Sequence, residues 1–171
     1  LMNSNKNLVF LGMMGSGKSS IGSLVSKKLN VPFIDIDILI EKYAGMTVSK
    51  IFENNGEDYF RKLEEEITLK SLKNKKNIIS LGGGGFINDN IRKDIISNHF
   101  SFWLNWDESV LLKRIKDSKN RPLALKSTDK EIIAIIQKRI KIYSQAQYEI
   151  NCNGLSKAEI VNEIIKIYEI N

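Results

Sequence analysis

Gly12-Met13-Met14-Gly15-Ser16-Gly17-Lys18-Ser19 is the stretch from which the rest of this chain is read. Its spacing is G-x-x-x-x-G-K-[ST], a loop whose backbone N–H groups cradle phosphate. At average residue usage the pattern arises by chance in roughly one chain in a hundred of this length. The flanks strengthen it. Leu8-Val9-Phe10-Leu11 is a short apolar run that reads as a buried strand, and Ile21, Leu24, Val25 and Leu29 recur at helical spacing after the loop. Strand, glycine loop and helix in that order offer a phosphate several kinds of donor. Glycine lets the backbone approach closely. The helix start adds unpaired N–H groups and the positive end of its dipole. Lys18 reaches the β- and γ-phosphates, and the Ser19 hydroxyl ligates Mg²⁺. Gly15, Ser16, Gly17, Lys18, Ser19 and Ser20 are therefore the expected nucleotide contacts.

Working outward, the 171 residues fit one domain, 1–171, with a sizeable core. Apolar content of 42% and charged content of 27% are those of a globular protein. No apolar run reaches the roughly 18 residues of a membrane helix. The first strand begins within ten residues of the start, so no signal or transit peptide is expected. One cysteine, Cys152, excludes an internal disulfide and suits a reducing cytoplasm. The net charge is +6, but the lysines are spread along helices among Glu and Asp. The densest runs, Lys27-Lys28 and Lys73 to Lys76, are short and carry no interleaved aromatics, which argues against a nucleic-acid groove. A modest positive field steers ATP and an acidic substrate instead.

Strands are expected at 7–12, 32–36, 77–82, 100–104 and 147–151. Helices are expected at 17–29, 36–44, 47–54, 57–74, 88–97, 107–117, 129–145 and 155–169. Short apolar strands alternating with helices predict an α/β fold, a parallel sheet covered on both faces. Ligands in such sheets collect beyond the carboxyl ends of the strands. The candidates fall there: the glycine loop after the first strand, Asp35 and Asp37 at the end of the second, and Gly82-Gly83-Gly84-Gly85 at the end of the third. Arg121 lies in a polar segment, 117–129, with no clear periodicity, which reads as a mobile lid.

With those positions in hand the chain resembles shikimate kinase, a family of small P-loop kinases, over about residues 7–169. Five blocks match in order: Gly12–Ser19; Asp35-Ile36-Asp37 followed by Ile40-Glu41; Gly56-Glu57 through Phe60-Arg61 with Glu64-Glu65; Gly82-Gly83-Gly84; and Arg121-Pro122-Leu123. Arg139 with Tyr143 is a looser sixth, because a proline common in the family between those positions is missing. The resemblance implies a three-layer α-β-α fold with a five-stranded parallel sheet of P-loop NTPase type, nucleoside monophosphate kinase-like. It implies substrate-binding helices at about 36–62, a lid at about 117–129, ATP and Mg²⁺ as cofactors, and a monomer. The implied reaction is transfer of the ATP γ-phosphate to the 3-hydroxyl of shikimate.

Residue by residue, the chemistry and the resemblance carry different weight. Asp37 reads equally as a helix N-cap and as a partner for substrate hydroxyls. The resemblance implies the substrate diol and a general base, and places Asp35 near Mg²⁺, through water. Arg61 alone is explained by pairing with Glu57 or Glu65, one helical turn away; the resemblance implies a grip on the substrate carboxylate. Arg139 shares a basic helix face with Lys138 and Lys141 and would by itself be solvated; the resemblance makes it a second carboxylate arginine, where a planar guanidinium binds in a bidentate way. Gly82, Gly83 and Gly84 are implied in close backbone approach to the substrate, with Gly85 leaving open which glycine makes contact. Arg121 is implied as a lid arginine on the transferring phosphate and Arg114 as a stack on adenine. His99, Trp103 and Trp106 match no catalytic position and read as structural. Two other readings remain open. Another small-molecule P-loop kinase, such as a gluconate kinase, need not carry two arginines for a ring acid. A GTP-dependent switch usually carries Asn-Lys-x-Asp, which is missing here.

Overall fold

A computed structural model describes residues 5–117 and 127–170. In chain order the elements are β1 Leu8–Leu11, α1 Lys18–Leu29, β2 Phe33–Asp35, α2 Ile36–Ala44, α3 Val48–Asn55, α4 Glu57–Leu72 and β3 Ile78–Ser80. A 3₁₀ turn follows at Gly85–Ile87, then α5 Asp89–Asn98, β4 Phe100–Asn105, α6 Glu108–Lys116, α7 Asp129–Tyr143, β5 Tyr148–Asn151 and α8 Lys157–Ile170. The five strands form one parallel sheet in the order β2-β3-β1-β4-β5. Each strand and helix read from the sequence is present to within two or three residues. The 3₁₀ turn is an addition, and it consumes the fourth glycine, Gly85.

Alternation along the strands sorts the core into two layers. Leu8 and Phe10 of β1 pack with Ile78, Phe102 and Leu104 against Val25 of α1 and Ile160 and Ile164 of α8. Their neighbours Val9 and Leu11 point the other way, with Ile79 and Trp103, onto Ile36, Ile40, Phe60, Ile91 and Ile136. Because both faces are covered, all four β1 residues are fully buried. Asp35 and Ser80 end β2 and β3 at the carboxyl edge, where the chain leaves the apolar layers. At the opposite edge the Asn7 amide donates to Leu72 O (3.0 Å) and Asn74 O (2.7 Å) and accepts from Asn77 N (3.0 Å), which ties β1 to the entry of β3. The order of strands reverses around β1: β2 and β3 lie to one side, β4 and β5 to the other. That reversal opens a crevice at the carboxyl end of β1, and the glycine loop enters it.

Candidate active site

The loop after β1 turns through Gly12 (φ 137°), Gly15 (φ 81°) and Gly17 (φ 92°), backbone angles that a side chain at Cβ strains. At Gly12 a Cβ would also meet Leu104 O at 3.0 Å. Gly17 caps α1 without a side-chain hydrogen bond, and the first turn of that helix holds no acidic residue. Its N-terminal N–H groups are thus left for an anion. Lys18 Nζ donates to Gly12 O and Met13 O, each at 2.9 Å. Ser16 is buried, and its Oγ has no hydrogen-bond partner among the described residues. An uncapped helix, a lysine folded against loop carbonyls and an orphaned hydroxyl fit a polyphosphate.

Ser19 and Asp35 meet across the base of this cradle, Ser19 Oγ donating to Asp35 Oδ2. Both groups offer oxygens, the donor type Mg²⁺ prefers. No group of three or more His, Cys, Asp or Glu gathers among the described residues. A cation held by one hydroxyl and one carboxylate keeps several waters, which matches the habit of Mg²⁺.

Asp35 also caps α2, accepting from Ile38 N at 3.3 Å. Of the two aspartates it is therefore Asp35, not Asp37, that fills the capping role. Asp37 is released into the first helical turn beyond the strand, facing Gly82: a Cβ there would lie 2.6 Å from Asp37 Oδ1. Burial pushes the Asp37 carboxyl up from 3.8 to about 6; Lys18 opposes, while Glu64, Asp35 and Glu41 add to the rise.

Arg61, on α4, forms the opposite wall. Its Nη1 pairs with Glu64 Oε2 at 2.7 Å and its Nη2 with Glu57 Oε1 at 3.3 Å. The expected alternative partner, Glu65, instead accepts from the Asn88 and Asn90 amides at 2.8 and 2.6 Å. Glu64 is only 2% exposed, and its Oε1 has no partner among the described residues. Burial raises the Glu64 pKa, against the pull of Arg61 and Arg139. Burial works to lower the Arg61 pKa, yet Glu64 and Glu57 outweigh it and hold the guanidinium charged. Arg139 is half-buried rather than solvated: α7 carries it over the glycine turn, where Nη1 donates to Gly83 O at 3.3 Å. Tyr143 OH donates to the same carbonyl.

The glycine turn is where these walls converge. At Gly84 a Cβ would lie 2.8 Å from Arg61 Cζ, and at Gly83 it would lie 3.2 Å from Met14 N. Gly82 and Gly85 are buried, while Gly83 and Gly84 are half-buried. The structure thus brings together the loop, Ser19, Asp35, Asp37, Arg61, Gly82 to Gly84 and Arg139. Ser20 is exposed in the first turn of α1. Arg121 lies outside the described residues, as does most of the expected lid.

Trp106 braces the nucleotide loop, a structural contact. It follows β4, its indole Nε1 donates to Ser16 O at 2.9 Å, and Arg114 lies over its ring at 3.7 Å from the centroid. Glu64 and Tyr143 also pack against the glycine turn, Glu64 at Gly82 and Tyr143 at the Gly83 carbonyl. The available signals were position for Trp106, just past a strand end in an open sheet, and spacing for Glu64, three residues after Arg61.

The arrangement is an anion cradle opposite a carboxylate and two guanidinium groups. A family model described as shikimate kinase matches residues 14–169. The chain belongs to the shikimate kinase family. A shikimate kinase of Thermodesulfovibrio yellowstonii is 39% identical over 165 residues, covering 96% of this chain and 95% of that relative. Among solved structures, shikimate kinase from Acinetobacter baumannii in complex with shikimate matches with a TM-score of 0.92 at 26% identity, covering 99% of this chain and 96% of that one. A gluconokinase of Sinorhizobium meliloti shares the fold alone, with a TM-score of 0.58 at 17% identity. Within the shikimate kinase family the parallel sheet and P-loop of this chain are the shared frame. No helix among the described residues is long and apolar enough to cross a membrane.

Proposed function

We propose that this chain transfers the γ-phosphoryl group of ATP to the 3-hydroxyl of shikimate, with the following division of roles. The P-loop N–H groups and Lys18 hold the phosphates. Ser19 and Asp35 would hold Mg²⁺, which would supply positive charge to the phosphate oxygens. Asp37 orients the 3-hydroxyl and accepts its proton as the new P–O bond forms and the bond from the γ-phosphorus to the bridging oxygen of ADP breaks. Arg61 and Arg139 grip the ring carboxylate, and the Gly83 and Gly84 backbone lets the ring approach. Arg114 stacks on the base, and Arg121 closes on the transferring phosphate. Phosphoryl transfer asks mainly for positioning and for charge on the phosphate oxygens.

The observation that carries this reading is Asp37 beside Gly82, in electrostatic reach of Lys18 and Glu64, with Arg61 beside Gly84 on the same turn without side chains. Glu64 supports it: it keeps Arg61 charged and aimed at the crevice without filling it. The buried free Cys152 suits a reducing compartment, and we propose a monomer working in the cytoplasm without nucleic acid. The test compares shikimate with gluconate in an ADP-release assay, and adds Arg61→Ala. Turnover is expected with shikimate only. Losing a charge-assisted grip on the carboxylate raises the shikimate KM on the order of 30- to 100-fold, with ADP affinity unchanged. Loss of ADP affinity in Arg61→Ala would place that arginine on the wrong ligand.

A further inference from the structure

The nucleotide side of the crevice contains a contact set that the phosphate motif does not include. Trp106 stands one residue past β4, against the outside of the P-loop. Its Nε1 donates to Ser16 O at 2.9 Å. The Arg114 guanidinium lies over its ring, Cζ 3.7 Å from the centroid, and donates from Nη1 to Gly15 O at 3.3 Å. Two consecutive loop carbonyls are therefore held from outside by one aromatic side chain and the arginine stacked on it.

We propose that Trp106 is a positioning residue of the nucleotide site. A trans peptide is planar, with C=O and N–H pointing opposite ways. Holding Ser16 O toward Trp106 turns the Gly17 N–H away from it, toward the phosphate cradle. The indole ring also fixes the plane of Arg114, whose exposed far side is then a flat cationic platform for the base of a nucleotide. Tryptophan is suited to this place because one side chain supplies both an N–H donor and a broad π face. Phenylalanine keeps the face and loses the donor; leucine loses both. The inference rests on the nucleotide half of the reading above and not on the identity of the acceptor.

The test measures ADP–Mg²⁺ affinity by calorimetry without shikimate, in the wild type, Trp106→Phe, Trp106→Leu, Arg114→Lys and the Trp106→Leu/Arg114→Lys double variant. Trp106→Phe is expected to weaken ADP about three- to fivefold, by one hydrogen bond. Trp106→Leu is expected to weaken it about tenfold or more. The double variant should be little worse than the poorer single one, because the two side chains act as a unit. The shikimate KM at saturating ATP should stay within about twofold, a split that a general loss of structure does not produce. ADP should change tryptophan emission in the wild type and much less in Trp106→Phe, where Trp103, packed 6.2 Å from the Tyr143 ring, still reports folding. Unchanged ADP affinity in folded Trp106→Phe and Trp106→Leu overturns the proposal. So does a matched loss of ADP and shikimate binding. A wild type that binds ADP but does not phosphorylate shikimate overturns the acceptor assignment and leaves the ADP result to decide this one.

Discussion

Asp37 is placed where it costs stability, and the cost can be measured. Burial raises its pKa from 3.8 to about 6. A carboxyl group with a raised folded pKa favours its neutral form in the native state. Its contribution is fully present below pH 3.8, declines as pH rises, and is lost by about pH 6, beyond which a charged and partly dehydrated carboxylate is held in the crevice. A shift of roughly two pH units at about 1.4 kcal/mol each makes the cost about 3 kcal/mol at pH 8. An asparagine at this position would have the same shape and no charge. Asp37→Asn should therefore be more stable than the wild type by about 2–3 kcal/mol at pH 8, with the difference vanishing near pH 4. Urea unfolding in chelator, without nucleotide or shikimate, measures it: a midpoint shift of about 1–2 M at constant m is expected. The same variant should lose at least about a hundredfold in kcat, having no base for the hydroxyl proton. A variant equal to or weaker than the wild type at pH 8 would refute the reasoning, since the native state would then not be straining to keep this charge.

Other outcomes follow from the same geometry. With Asp37 as base, kcat/KM for shikimate should fall on the acid side with a midpoint near pH 6, set by the raised pKa; a midpoint below about 4.5 in the pH–rate profile removes that role. Gly84→Ala places a methyl group 2.8 Å from Arg61 Cζ, so it should raise the shikimate KM about tenfold or more while moving ADP affinity little, as steady-state kinetics and calorimetry would show. Ile79→Ala opens a cavity at a fully buried position of β3 and should cost about 2–5 kcal/mol in urea unfolding, with KM values for the folded enzyme retained.

Much of this protein can be read along the chain, because the signals involved are local. Alternation of β and α periods depends on neighbours a few residues apart, and it predicts the parallel sheet. The cap of α2 is harder. Sequence offers Asp37 for it, and the structure gives it to Asp35, which accepts from Ile38 N. Two aspartates two residues apart present the same pattern, and only the extended backbone at Asp35 separates them. Arg61 shows the same limit at helical range. Glu57, Glu64 and Glu65 all lie within reach of it along α4. Packing decides among them, by burying Glu64 behind the glycine turn and turning Glu65 to Asn88 and Asn90.

Arg139 and Trp106 mark the boundary more sharply. By sequence the first is part of a basic surface and the second reads only as structural. Their contacts join residues 56 and 90 positions apart, Arg139 to Gly83 and Trp106 to Ser16. Such contacts depend on β4 lying next to β1 and on α7 crossing the end of β3, which hydrophobic period does not encode. By itself the sequence determined that a phosphate-cradle loop follows β1, because a glycine loop between strand and helix exposes N–H groups whatever surrounds it. The resemblance named Asp37, Arg61 and Arg139, but only the tertiary structure decided which partners hold them and that Trp106 and Arg114 brace the loop, because those contacts are set by strand order and by the packing of helices across the sheet.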